Sequence, residues 1–299
     1  MVTPSTKTVY TRAQLEEMAA SVGFWWHSIN LREGVVTKGE LSREDLARHF
    51  ESLRPPDLKN KSVLDIGAWD GFYSFEAEKR GARRVVALDH YAWSLDLPKH
   101  MAYWRECKER GVVPLPSQQE LFWQPDKLPG KHGYDVAHKA LGSEVETVIG
   151  DFMTMDLEPL GTFDVVFLLG VLYHMENPLG ALKRVASLTK DVAIIQTQAI
   201  CVPEYEDLEL CEFYSSNQLN GDPSNWWGPN LKALEGMCHA AGFSRVEIIV
   251  GHVEPRRPKR SFYRRARAAA GQLLREFSLL PPRPPSQRGY FSAVAHAWK

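Results

Sequence analysis

Cysteine and net charge are scarce in this chain, and it has no long apolar run. Its 299 residues hold 4 cysteines, Cys107, Cys201, Cys211 and Cys238, scattered without a C-x-x-C pair. That spacing excludes a zinc ribbon and a disulfide scaffold. Reduced thiols in a cytoplasmic protein are expected instead, with no metal site. The formal net charge is −1. A groove that grips nucleic acid usually carries a basic excess, so the balance argues against a nucleic-acid partner. No stretch approaches the ~20 apolar residues of a membrane span. Met1-Val-Thr-Pro-Ser-Thr-Lys lacks the apolar segment of a signal peptide, so neither a membrane nor export is expected. Internal repeats are missing, and so is the G-x-G-x-x-G of a dinucleotide fold. Hydrophobic residues make up 44% and charged residues 24%, the composition of a globular protein.

What is present centres on Ser62-Val-Leu-Asp-Ile-Gly-Ala-Trp-Asp-Gly-Phe-Tyr-Ser-Phe75. The apolar run 63–66 predicts a strand. Gly67 and Gly71 predict a turn, and a helix follows to about Arg80. Glycine there leaves room for a cofactor to approach the backbone. The free amides at the helix start can face an anionic group. A second strand, 84–88, ends at Asp89, one βαβ crossover later, where a carboxylate can accept hydrogen bonds from ribose hydroxyls. Strands are also predicted at 145–149, 163–169, 192–197, 245–250 and 290–297. The run 163–169 is almost wholly apolar, as in a strand covered on both faces.

Helices are predicted at 11–22, capped by Thr11, and at 42–53, opened by Ser42. Further helices are predicted at 134–141, from 179, and from Asn225-Trp-Trp-Gly-Pro-Asn-Leu231 to Gly242. Residues 1–57 read as a helical arm or lid. Residues 58–299 read as the cofactor domain, with insertions at about 90–132 and 252–287. The first insertion is rich in aromatics, Trp93 among them, which suits a folded wall of an acceptor pocket better than disorder. The second is basic, from Arg256 to Arg275. The acidic stretch 201–223 reads as a solvated excursion.

Trp25-Trp26-His27 is either a plug that packs the arm down or a lid with His27 pointing inward. Tyr173 and His174 follow the strand 163–169, where open α/β sheets bind ligands. A single cavity shared by the arm, Tyr173-His174 and Asn225-Trp226-Trp227 is therefore expected.

Asp65-Ile-Gly-Ala-Trp-Asp-Gly, Gly170-Val-Leu-Tyr-His, Asn225-Trp-Trp-Gly-Pro-Asn and Trp25-Trp-His-Ser-Ile-Asn together resemble the class I S-adenosylmethionine-dependent methyltransferases from about residue 58 onward. Within that class they are similar to the branch holding the tRNA wobble-uridine carboxymethyltransferase and its small-molecule relatives. The resemblance implies an α/β fold with a Rossmann-like, mostly parallel seven-stranded sheet and helices on both faces. It implies Asp65, Gly67 and Gly71 at the methionine end of S-adenosylmethionine, with Trp69 at the middle glycine of the motif. Asp89 would meet the ribose, Asp151 and Phe152 the adenine, and His90 and Gly170 would line the same cofactor. Tyr173 would lie over the reacting centre. The tRNA enzyme's carboxylated cofactor meets a lysine and an arginine, and here His27 and Ser224 fall at those places. Ordinary S-adenosylmethionine is therefore expected. A methyl acceptor with a proton to lose needs a base, for which His174 and His27 are the candidates. Trp26, Trp93, Asn225, Trp226 and Trp227 are the candidate contacts of a small-molecule, aromatic or hydrophobic secondary-metabolite acceptor. The alternatives are a tRNA acceptor and a cofactor-binding module without catalysis.

Overall fold

A computed structural model describes residues 9–203, 205–250 and 289–299. The basic insertion at 252–287 lies outside the described residues. The chain opens with α1 (Arg12–Ala20), capped by a reciprocal pair of bonds between Thr11 and Gln14. A hairpin follows, β1 (Asn30–Arg32) and β2 (Val35–Val36), which the sequence pattern did not predict. Next comes α2 (Arg43–Ser52), whose first turn is capped by Ser42.

Strand β3 (Ser62–Ile66), α3 (Phe72–Lys79) and β4 (Arg84–Asp89) form the expected βαβ unit. The insertion folds as α4 (Tyr91–Ser94), α5 (Leu97–Glu109) and a short α6 (Pro116–Gln119). After α7 (His132–Leu141) come β5 (Glu146–Ile149), β6 (Phe163–Leu169), α8 (Pro178–Leu188) and β7 (Thr189–Cys201). A small ribbon of β8 (Cys211–Phe213) and β9 (Trp227–Pro229) precedes α9 (Leu231–Ala240), β10 (Arg245–Val250) and β11 (Gly289–Trp298). The helix expected to open at Asn225 starts six residues later. Asn230, not Asn225, caps it by accepting from the Ala233 amide at 2.8 Å, and residues 227–229 are spent on pairing with 211–213.

The seven-stranded sheet runs β10-β11-β7-β6-β3-β4-β5. Neighbours from β7 to β5 are parallel, and β11 is antiparallel to both β7 and β10. From β3 the chain winds to one edge through β4 and β5, then returns to β6 on the other side. The order therefore reverses between β3 and β6, and their carboxyl ends open the crevice where such sheets take ligands. Strand residues alternate between two cores. Val63, Val85, Phe167 and Ile194 face one side, under α2, α3 and α7. Leu64, Val86, Leu168 and Ile195 face the other, under α8 and α9. Helix α2 belongs to the first core, where Phe50 is 1% exposed and meets Phe167 edge-on at 6.5 Å. The boundary expected at 57/58 thus falls inside a shared core. No helix among the described residues is long and apolar enough to cross a membrane.

Candidate active site

At the end of β3 the backbone turns back sharply. Gly67 has φ +80°, and a Cβ there would stand 2.5 Å from Val171 Cγ2. Gly71 has φ +85°, and its Cβ would strike the rings of Phe75 and Tyr134. Glycine at 71 is therefore required by the protein's own packing. Its left-handed conformation starts α3, and the ring of Tyr134 closes over it. Between them Trp69 holds φ +48°, a position bulky residues avoid unless their surroundings enforce it. Three contacts enforce it. The Trp69 amide donates to Asp89 Oδ2 at 2.9 Å, its carbonyl accepts from Trp93 Nε1 at 2.7 Å, and its indole stacks on Trp26 at 4.9 Å.

Asp70 joins this turn to the arm. It is wholly buried, and its Oδ2 accepts from the amides of Trp26 at 2.7 Å and His27 at 2.8 Å. The imidazole of His27 stacks on Phe72 at 5.8 Å, with Nδ1 3.6 Å from Asp70 Oδ2. Buried atoms without partners gather here: His27 Nδ1, Asp70 Oδ1 and Trp69 Nε1. Such groups are costly unless a ligand or water completes them.

The predicted acids stand around the crevice in different states. Asp65 is 1% exposed and accepts from Ser74 Oγ at 2.6 Å. Burial pushes it up to about 6, against the pull of Ser74 and His27. Asp89 is likewise pushed up to about 6 by burial, although backbone amides favour its charged form. Its oxygens already accept from the Trp69 and Ala92 amides, leaving second lone pairs for a ribose. Asp151 is exposed and accepts from the Met153 amide and Thr154 Oγ1. Phe152 is 4% exposed and sits in the α8 core, with the Arg184 guanidinium 5.6 Å over its ring. His90 stands edge-on to Trp123 at 5.3 Å. The Gly170 amide closes the end of β6 onto the Gln196 carbonyl at 3.0 Å.

Tyr173 and His174 lie in the single turn after β6, with ring centroids 4.3 Å apart. Burial pushes the Tyr173 phenol up to about 12, and Asp222 adds to the shift. His174 Nδ1 lies 3.1 Å from the Ser224 carbonyl and 3.0 Å from Ser224 Oγ. The segment after it is laced onto the same turn: the Trp226 amide donates to the Tyr173 carbonyl at 2.8 Å, and Trp227 Nε1 donates to the Glu176 carbonyl at 3.2 Å. Tyr73, edge-on to His27 at 5.8 Å, is close enough to feel Tyr173.

Two candidate acceptor contacts prove to be internal. Trp93 is 0% exposed, locked between Tyr134 and the Trp69 carbonyl. Asn225 is 1% exposed and donates to the Leu219 carbonyl at 2.9 Å, which anchors its loop. Trp26, Trp226 and Trp227 stay partly accessible. The sequence reading passed over Asp70 and Asp222. Asp70 stands between residues that were singled out. Asp222 begins an Asp-Pro-Ser turn whose Asp side chain accepts the amide two residues on, a pattern readable from composition alone. A cleft of about 730 Å³ between α1 and the hairpin, lined by Arg12, Glu16, Phe24, Trp25 and Val36, is formed by the arm and has no part of Tyr173 or His174 in its wall.

Comparison with known proteins places this geometry among relatives. The profile of the methyltransferase domain family matches residues 39–248, beginning before α2. A tRNA U34 carboxymethyltransferase of Helicobacter acinonychis (strain Sheeba) is 27% identical over 192 residues, covering 64% of this chain and 59% of that protein. The namesake from Desulforapulum autotrophicum is 25% identical over 195 residues, covering 64% of this chain and 47% of its own length. The one from Helicobacter pylori (strain Shi470) is 26% identical over 249 residues, or 79% and 78% of the two chains. The chain thus spans about half to three-fifths of the first two relatives. Among solved structures, the N-terminal domain of EvdMO1, in the presence of SAH and D-fucose, superposes with a TM-score of 0.56 at 16% identity over 97% of both chains. That likeness is one of fold.

Proposed function

The chain belongs to the methyltransferase domain family, whose class I members draw the methyl group from S-adenosylmethionine, and from this premise we propose that it methylates a small, aromatic or hydrophobic acceptor. The observation that carries the reading is the convergence at the crevice between β3 and β6. The strained turn at Gly67 and Trp69, with its unpartnered buried atoms, meets the Tyr173-His174 pair there through Val171. Those orphaned atoms, with the two carboxylates beside them, fit a zwitterionic nucleoside sulfonium. Asp65 faces its amino acid end and Asp89 its ribose, and Asp151 accepts from its adenine amine.

When bound, S-adenosylmethionine supplies a methyl group already activated on sulfur. What remains for the protein is alignment and exclusion of water. Tyr173 orients the acceptor, Trp26 and Trp226 wall it in, and His174 takes its proton at Nε2. The carboxylated cofactor of the tRNA branch suits this site poorly. At the places of its two cationic partners stand His27, held beside Asp70, and Ser224, bonded to the Asp222 carboxylate. A further carboxylate would find no charge-assisted donor there and would meet like charge.

The test has two arms. Calorimetry with S-adenosylhomocysteine should show binding that Asp89→Ala weakens by on the order of 1–3 kcal/mol. A gel shift with bulk tRNA should show only weak binding that fades with salt. A tight gel shift with bulk tRNA, weakening steeply as salt is raised, would move the reading to the tRNA branch. On any acceptor found by screening, His174→Ala should bind cofactor normally and turn over roughly 10²–10⁴-fold more slowly.

A further inference from the structure

Asp222 was singled out by neither the family motif nor the acidic-stretch reading, and Ser224 only as the residue at a lost arginine's place, yet the two form a continuous hydrogen-bonded chain that ends on His174. A carbonyl oxygen only accepts, so the 3.1 Å contact between His174 Nδ1 and the Ser224 carbonyl requires a proton on Nδ1. The Ser224 hydroxyl, 3.0 Å from the same nitrogen, donates its own hydrogen to Asp222 Oδ1 at 2.6 Å and turns a lone pair toward Nδ1–H. Asp222 Oδ1 also accepts from the Ser224 amide at 2.7 Å. These bonds take up Nδ1 and leave the lone pair on Nε2. They are held rigidly, because the two residues after Ser224 and Asn225 are bonded to the carbonyls of Tyr173 and Glu176.

We propose that Asp222, acting through Ser224, is a positioning residue that fixes His174 in its Nδ1–H tautomer and supports the imidazolium formed when Nε2 accepts the acceptor's proton. This deepens the methyl-transfer reading and rests on it only for the proton's origin. The step balances. A bond forms between the acceptor atom and the methyl carbon, the sulfur–methyl bond breaks with its electron pair kept on sulfur, and the acceptor's proton moves to Nε2. The positive charge lost by the sulfonium reappears on the imidazole. Burial works against that charge and lowers the His174 pKa, while the Asp222 carboxylate and the Ser224 carbonyl oppose the fall. Tyr173 is the titratable neighbour on His174's own turn, and burial with Asp222 raises its pKa. From the insertion, Tyr91 on α4 and His100 on α5 also feel Asp222. One carboxylate thus acts on titratable groups from three separate segments.

Ring-¹⁵N histidine NMR of the whole protein with S-adenosylhomocysteine tests this without any acceptor. Its failure is therefore separate from a failure to find methyl transfer. His174→Ala assigns the resonance. The wild-type spectrum should show a protonated Nδ1 and a bare Nε2. Asp222→Asn keeps the turn, since its side-chain oxygen still accepts the Ser224 amide, but removes the charge. It should lower the His174 pKa by on the order of half to one unit. Ser224→Ala should give a similar shift, and the double variant should add little to either. An Nε2–H tautomer in the wild type would overturn the proposal. So would an unmoved pKa in Asp222→Asn beside a disturbed fold in Asp222→Ala, which would make Asp222 a turn-former only.

Discussion

Replacing Asp70 by alanine tests whether the arm is fastened to the cofactor turn or merely lies on it. The carboxylate is 0% exposed, and one oxygen holds two backbone amides, at 2.7 and 2.8 Å, from residues more than forty positions earlier. Alanine would leave both amides buried without an acceptor. At about 1–3 kcal/mol for each unmade bond, the loss is roughly 2–6 kcal/mol, and the removed charge places it in the upper half of that range. Asp70→Asn keeps one carbonyl oxygen in place and should lose roughly 1–2 kcal/mol. Urea titration followed by far-UV circular dichroism gives both numbers. Hydrogen exchange should show the amides of 26 and 27 losing protection first. A loss under about 1 kcal/mol in the alanine variant, with those amides still protected, would refute the reasoning, because the arm would then be held by its apolar contacts alone.

Asp65 and Asp89 both titrate at about 6 in the fold, above the ~3.9 of a free aspartate. Folding therefore favours their protonated forms, and the stability they contribute is full below about pH 4 and lost as pH rises through 6. A cofactor that donates hydrogen bonds needs them ionised, so calorimetric affinity for S-adenosylhomocysteine should rise from pH 5 to 7. The rise should flatten in Asp65→Asn, and a flat profile in the wild type would contradict these roles. Phe50→Ala, at a site 1% exposed on α2, should cost about 3–5 kcal/mol in a single cooperative transition. A separate early transition would show instead that residues 1–57 fold as an independent unit.

The sheet was legible because its signals are local. Val63 to Ile66 and Phe163 to Leu169 are apolar runs long enough to decide their own conformation. The hairpin at Asn30 to Val36 went unseen because Glu33 and Gly34, both at positive φ, were hidden beneath the stronger aromatic run before them. Phe152 shows that sequence order places a residue beside a site without saying to which face it turns. Its neighbour Asp151 is exposed while its own ring points into the core. Trp93 misled for a related reason: an indole in an aromatic-rich insertion reads as a pocket wall, and only the Trp69 carbonyl shows which way it faces. Asp70 and Asp222 were invisible as functional residues because their partners are amides and a serine, which carry no side-chain signature in a motif.

Strand β11 enters the sheet out of turn, between β7 and β10, pairing residue for residue with Val192 to Cys201. During synthesis the ribosome releases β7 long before β11. Until β11 emerges, β7 therefore offers an unpaired edge of ten residues, rich in isoleucine and alanine. Such an edge recruits chaperones or neighbouring nascent chains. Translation speed over the stretch between β10 and β11 should then govern how much of the protein is recovered from an expressing cell.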